Sequence, residues 1–147
     1  MKTYLSDSPH PALGVDHGEA RIGIAATDDF GILAHPVETI ERRRMDPVRR
    51  IAQLAQLRGI RTLVVGLPLR MDGSEGSAAE KVRAFAGLLR ERLPTIPLVL
   101  VDETLTTSSA AAKLREAGRN ARQQKAVIDQ AAAVEILNHW MAEGAGL

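Results

Sequence analysis

Apolar and polar positions divide the chain into two regimes. Residues 1–11 carry no regular pattern: Ser6, Ser8, Pro9 and Pro11 break it, and the segment reads as a flexible N-terminal tail ahead of a domain spanning 12–147. Leu13 to His17 then reads as a strand, Gly18 and Glu19 as a short turn, and Arg21 to Thr27 as a second strand. A link that tight joins antiparallel neighbours. After a turn at Asp29-Phe30-Gly31, a third strand covers Ala34 to Glu41, which makes a three-strand meander.

Beyond residue 41 the period changes. Val48, Ile51, Leu54, Ala55 and Leu57 fall on one helical face, with Asp46 as N-cap, Pro47 at the first helical position and Gly59 as the stop. Arg61 to Gly66 is an apolar run of the buried-strand type. A Gly- and Asp-bearing loop, Leu67 to Gly76, leads into a helix that runs to about Leu93, with Ser77 and Glu80 as a capping box. Pro97 to Asp102 is another buried strand. A helix from about Thr107 to Ala117, a polar loop over Asn120 to Gln124 and a last helix from about Lys125 to Glu143 follow. Strands that return through helices lie parallel to one another. The expected architecture is α/β: a five-stranded mixed sheet, part antiparallel meander and part parallel, with helices on both faces.

Composition narrows the function classes. With 147 residues, 45% hydrophobic and 25% charged, the chain suits one soluble globular domain. There is no cysteine, so disulfides, thiolate zinc sites and cysteine nucleophiles are excluded, and a reducing cytoplasm fits. No apolar run approaches the ~18 to 20 residues that span a bilayer. Aromatic residues make up 3%, so shape and phosphate contacts are better expected than base stacking as a source of specificity. The net charge of +1 does not announce a polyanion, but basic residues cluster at Arg42, Arg43, Arg44, Arg49 and Arg50, and again at Arg115, Arg119, Arg122 and Lys125. The first cluster reads equally as solvated surface charge.

Three acids draw attention. Asp16 lies in an apolar strand, where an unpaired carboxylate is costly. It shares a face with Gly14 and Gly18, an arrangement that leaves open space for a substrate backbone, although a strand-end Asp also accepts turn N–H groups. Asp102 and Glu103 end a buried strand, where open α/β sheets place their ligands; they point to opposite faces, and alternation alone does not choose between them. Asp129 precedes Ala132 and Ala133 at helical spacing, so it sits on a face able to approach a sheet closely, or else is an exposed first-turn Asp that suits the helix dipole. Acids gathered from separate elements, without Cys or His-rich spacing, suggest Mg²⁺ or Mn²⁺. Two such ions can activate water and stabilise the leaving oxygen of a phosphodiester. The loop from Gly66 to Gly76 lacks the Walker A ending but is long for a βα turn, and Gly73 and Gly76 would let amides approach an anion. His17 neighbours Asp16 and should face away from it; His139 and Trp140 read as helix packing.

Together, Gly14-Val15-Asp16-His17-Gly18 with Arg21-Ile22-Gly23-Ile24-Ala25, Gly66-Leu67-Pro68 with Met71-Asp72-Gly73-Ser74-Glu75-Gly76, Asp102-Glu103-Thr104-Leu105-Thr106-Thr107, and Lys125 with Ile128-Asp129 and Ala132-Ala133 resemble the YqgF family, also called RuvX, over nearly the whole chain. The resemblance implies the ribonuclease H-like fold and a metal-dependent nuclease whose acids are Asp16, Glu103 and Asp129, so it favours Glu103 over Asp102. It links the chain to maturation of the 5′ end of pre-16S ribosomal RNA, with Holliday-junction resolution as the alternative and a non-catalytic ribosome-assembly factor as a further one. Arg21, Arg70, Ser74, Arg119, Arg122 and Lys125 are the expected substrate contacts, Mg²⁺ or Mn²⁺ the cofactor, and pre-16S RNA or branched DNA the partner. A homodimer and a cytoplasmic location are further expectations. The chain departs from the family pattern at His17, Glu19, Ala20 and Thr104, which spares the acids. A sugar-kinase or actin-like ATPase also carries a strand-turn-strand phosphate loop, but would need a second lobe.

Overall fold

The computed structural model describes residues 8–103 and 121–144, and the side chains from 127 onward in the second stretch. Its strands are β1 (Ala12–His17), β2 (Arg21–Thr27), β3 (Ala34–Glu41), β4 (Thr62–Leu67) and β5 (Leu98–Asp102), and its helices are α1 (Pro47–Arg58), α2 (Ser77–Arg92) and α3 (Ala121–Ala142). The sheet order is β3-β2-β1-β4-β5. β1 pairs antiparallel with β2, and β2 with β3; β4 lies parallel between β1 and β5. This is the expected mixed sheet. The C-terminal ends of β1, β4 and β5 therefore meet at one edge. Pro36 sits in the edge strand β3, where its missing N–H disturbs no central ladder.

Local signals set α1 as expected. The Asp46 carboxylate accepts the Val48 N–H at 3.0 Å, Pro47 opens the helix, and Gly59 closes it in the left-handed conformation at φ 62°. α2 differs from expectation: its N-cap is Gly76, not Ser77, and no side chain caps it. The Gly76 carbonyl accepts the Glu80 N–H at 3.1 Å, so the helix begins one residue earlier than the capping box implies. α3 also starts earlier, at Ala121, so 121–124 are helical rather than loop. The helix expected over 107–117 lies outside the described residues.

The helices separate two cores. α1 and α2 cover one face, where Leu13, Val15, Ile22, Ile24 and Ile40 meet Ile51, Leu54, Val82, Phe85 and Leu89. α3 covers the other, where Ala12, Ala25, Val64 and Val101 meet Ala133, Ile136, Leu137 and Trp140. Residues 8–11, part of the expected tail, are tied to this body. Thr62 Oγ1 donates to the Pro9 carbonyl at 2.8 Å, the Pro11 carbonyl accepts the Arg61 N–H at 2.8 Å, and buried His10 packs edge-on against Trp140. Residues 1–7 lie outside the described residues. No helix among the described residues is long and apolar enough to cross a membrane.

Candidate active site

Three glycines let α3 lie against the sheet. A Cβ at Gly14 would come 2.6 Å from Leu137 Cγ, one at Gly23 only 1.9 Å from the Asp129 carbonyl, and one at Gly66 2.5 Å from Ile136 Cδ1. The expected open space beside Asp16 is thus corrected. The place over Gly14 is filled by α3, and Gly18 abuts the Arg21 carbonyl, where a Cβ would stand 2.5 Å away. Those contacts serve packing and the turn, not a substrate backbone.

The same face carries the acids. Asp16 is the penultimate residue of β1, opposite Gly23 of β2. Glu103 follows β5 on the side of Val101, and it is buried while Asp102 is exposed. It reaches across β4 above Gly66, whose missing side chain makes the room: a Cβ there would stand 2.6 Å from Glu103 Oε2. The Asp16 and Glu103 carboxyls share a hydrogen bond. Burial comes first in raising both, Asp16 from 3.8 to about 6 and Glu103 from 4.5 to about 9; the Asp16 charge then adds to the rise at Glu103. At neutral pH this makes Glu103 the proton holder and donor and Asp16 the ionised acceptor.

Asp129 adds its charge from α3 and raises Asp16 further. Its own carboxyl is pushed up by burial and drawn down by Arg21, whose Nε donates to Oδ2 at 3.1 Å. Among the described residues no three His, Cys, Asp or Glu side chains already form a metal cage. The donor set still fits a hard divalent cation. It is all oxygen, and burial biases each of its carboxyls toward protonation, aided at Asp16 and Glu103 by a neighbouring acid's charge, a penalty that a cation would relieve.

The expected substrate contacts are distributed unevenly. Arg21 borders the acids through its ion pair with Asp129. Arg70 and Ser74 lie on the loop after β4, at the same sheet edge. The loop closes on itself: Arg70 N–H donates to the Ser74 carbonyl, Gly73 N–H to the Arg70 carbonyl, and both the amide and the hydroxyl of Ser74 donate to Asp72 Oδ1. Gly73 supplies the φ of +85° that this turn needs. Of the two glycines expected to let amides approach an anion, Gly73 thus has its own amide engaged within the loop, as has Ser74. Arg70 lies against Gly76, where a Cβ would come 2.8 Å from Nε. Arg119 lies outside the described residues, and Arg122 and Lys125 are placed only as backbone in α3.

His17 faces away from Asp16, as alternation requires. Its ring packs on Phe85 of α2 at 4.8 Å between centroids, and its Nε2 meets Arg42 Nη1 at 2.7 Å. Burial, then Arg42, lowers its pKa and keeps it neutral. Residues 17, 42 and 85 are too far apart in sequence for this cluster to be foreseen. The first arginine cluster is otherwise largely surface charge: Arg44 pairs with Glu41, and Arg50 forks onto Glu38.

A family model described as "RuvX: Holliday junction resolvase" matches residues 10–143. A protein of Nocardioides sp. named "Putative pre-16S rRNA nuclease" is 50% identical over 131 residues, covering 86% of this chain and 84% of that one. Proteins of the same name from Mycobacteroides abscessus and Cutibacterium acnes are 47% and 48% identical; they cover 89% and 86% of this chain and 80% and 79% of their own. The solved structure titled "T. thermophilus RuvC in complex with Holliday junction substrate" matches with a TM-score of 0.55 at 14% identity, over 90% of this chain and 95% of that one. A second Thermus thermophilus RuvC structure matches at 0.52 and 14%, over 92% and 96%. At that identity the likeness is one of fold, the ribonuclease H-like fold.

Proposed function

Because the chain belongs to the RuvX family, we propose that it is a metal-dependent endonuclease of structured nucleic acid that trims the 5′ end of pre-16S ribosomal RNA. The observation that carries this reading is the carboxyl pair of half-buried Asp16 and buried Glu103 at the shared end of three parallel strands, with Asp129 beside it. Asp16, Glu103 and Asp129 hold Mg²⁺ or Mn²⁺ in this reading. The chemistry such a pair of ions supplies when bound is water activation and charge stabilisation at the leaving oxygen. The chain's own residues do the rest. Asp16 and Glu103 release the proton they share as the site fills. Arg21 steadies Asp129 and sets its charge. Arg70, exposed on the loop after β4, meets the phosphate backbone, as do Arg119, Arg122 and Lys125. Ser74 joins them only by leaving Asp72. The names of the relatives support RNA as the substrate, and a ribosomal RNA precursor as substrate fits the cytoplasm as the place of action.

Asp16→Asn tests the reading. Full-rate cleavage of a pre-16S 5′ end by this variant with Mg²⁺ or Mn²⁺ would sink it, and binding without cleavage by the parent would favour an assembly factor. The description of the family model favours a second substrate, a four-way DNA junction. Direct competition between the RNA end and the junction at one stated salt separates the two.

A further inference from the structure

Arg21, Arg44, Arg50 and Arg83 each hold a carboxylate, from Asp129, Glu41, Glu38 and Glu75. Half-buried Arg42 is placed differently. Its guanidinium meets the His17 ring, donates to the Gly18 carbonyl at 3.3 Å, and lies over the Phe85 ring with its carbon 5.6 Å from the centroid. It also lines an open groove of about 500 Å³. Lys81 adds a second cation to the groove, and Ala84 and Leu88 add an apolar shelf on which Leu88 is 52% exposed. Glu19 borders the groove as well and is held by Lys81.

The groove lies beside the acids but around the sheet edge from them. His17 directly follows Asp16 and points to the α2 face, while Asp16 points to the α3 face. A cation next to an apolar shelf matches the two chemistries of a nucleotide, a phosphate for the guanidinium and a base for the shelf. We infer that this groove seats one nucleotide of the substrate strand next to the cut, its phosphate on Arg42 and its base on Leu88 and Ala84. The inference rests on the nuclease reading for the identity of the strand.

The test uses binding, so it stands apart from cleavage. A fluorescent single-stranded RNA of about eight nucleotides, and an abasic strand of the same length, are titrated by anisotropy without metal at fixed salt. For the parent protein, base removal should weaken binding about tenfold. Leu88→Glu, a surface change outside the Arg42 contacts, should weaken the RNA by a similar factor and shrink the gap between the two strands. Leu88→Ala should fall between. Arg42→Gln should lower the slope of log K against log salt by about one. A gap between normal and abasic strands that is unchanged by Leu88→Glu, with thermal melting intact, overturns the groove. Absence of cleavage by the parent would overturn the nuclease reading alone.

Discussion

Gly66 of β4 lies directly beneath the Glu103 carboxyl, and the two positions depend on each other: a Cβ at 66 would stand 2.6 Å from Glu103 Oε2 and 2.5 Å from Ile136 Cδ1. Gly66→Ala should therefore displace either the acid or α3. We expect a stability loss of about 1–3 kcal/mol and a fall in cleavage beyond what the lost folded fraction explains. Denaturant melts paired with cleavage per folded molecule separate the two effects. Parent-like values of both would contradict the geometry.

The raised carboxyls make a prediction about pH. Folded Asp16 and Glu103 hold protons up to about 6 and about 9, whereas the unfolded chain releases them near 3.8 and 4.5. Between those limits the folded state binds more protons, so stability falls as pH rises. Their contribution is complete below the unfolded values and lost through the folded ones. Melting in chelator across this window should show a steeper decline for the parent than for Glu103→Gln. If these acids hold a divalent metal, as proposed, its binding would drive the protons off, and it should stabilise the parent more as pH rises. A parent and variant with parallel profiles would remove the basis for the coupled pair.

Arg21 draws the Asp129 carboxyl down against burial. Arg21→Gln leaves burial unopposed, so Asp129 should protonate at higher pH. The acid limb of the cleavage profile should move upward, with a smaller loss at alkaline pH. A uniform loss across the profile would assign Arg21 to substrate contact instead.

Two glycines should respond in opposite directions to alanine. At Gly23 a Cβ would meet the Asp129 carbonyl at 1.9 Å, which only a shift of α3 can relieve, and the variant should lose more than about 3 kcal/mol. At Gly87, inside α2, nothing stands within 4 Å of a Cβ, and alanine should add about 0.5–1 kcal/mol. Urea unfolding of both variants reads the contrast directly.

Far from the acids, Thr27 Oγ1 accepts the Ala12 N–H at 2.8 Å and meets His10 Nδ1 at 2.9 Å, all buried. Thr27→Val keeps the shape but strands both partners, at a cost of about 1–3 kcal/mol. Thr27 lies at the opposite end of β2 from Arg21, about 20 Å away. Cleavage per folded molecule should be unchanged, a result that a distant coupling would contradict.

How much of this was legible in the chain depended on range. α1 could be read to the residue, because Asp46, Pro47 and Gly59 act on their own backbone. The start of α2 could not, because Gly76 is shaped by Arg70 packing on it from outside the helix. The role of Gly14 was misread for the same reason: a glycine beside an acid looks like vacancy until a distant helix is seen to occupy it. Asp102 and Glu103 were indistinguishable by alternation, since only the contact of Val101 with α3 tells which face of β5 is which. The family motifs resolved that choice by resemblance. The cluster of His17, Arg42 and Phe85 had no local signature at all.

The assembly of the acids has a temporal side. Asp16 comes early in the chain, Glu103 late, and Asp129 later still, on the helix that also seals one face of the sheet. In this reading no shorter stretch of the chain holds a working set. A growing polypeptide would stay inert toward the RNA around it until α3 has been synthesised and has docked. For an enzyme that acts on the precursor of the machine that makes it, completion of the fold would itself serve as the switch for cutting.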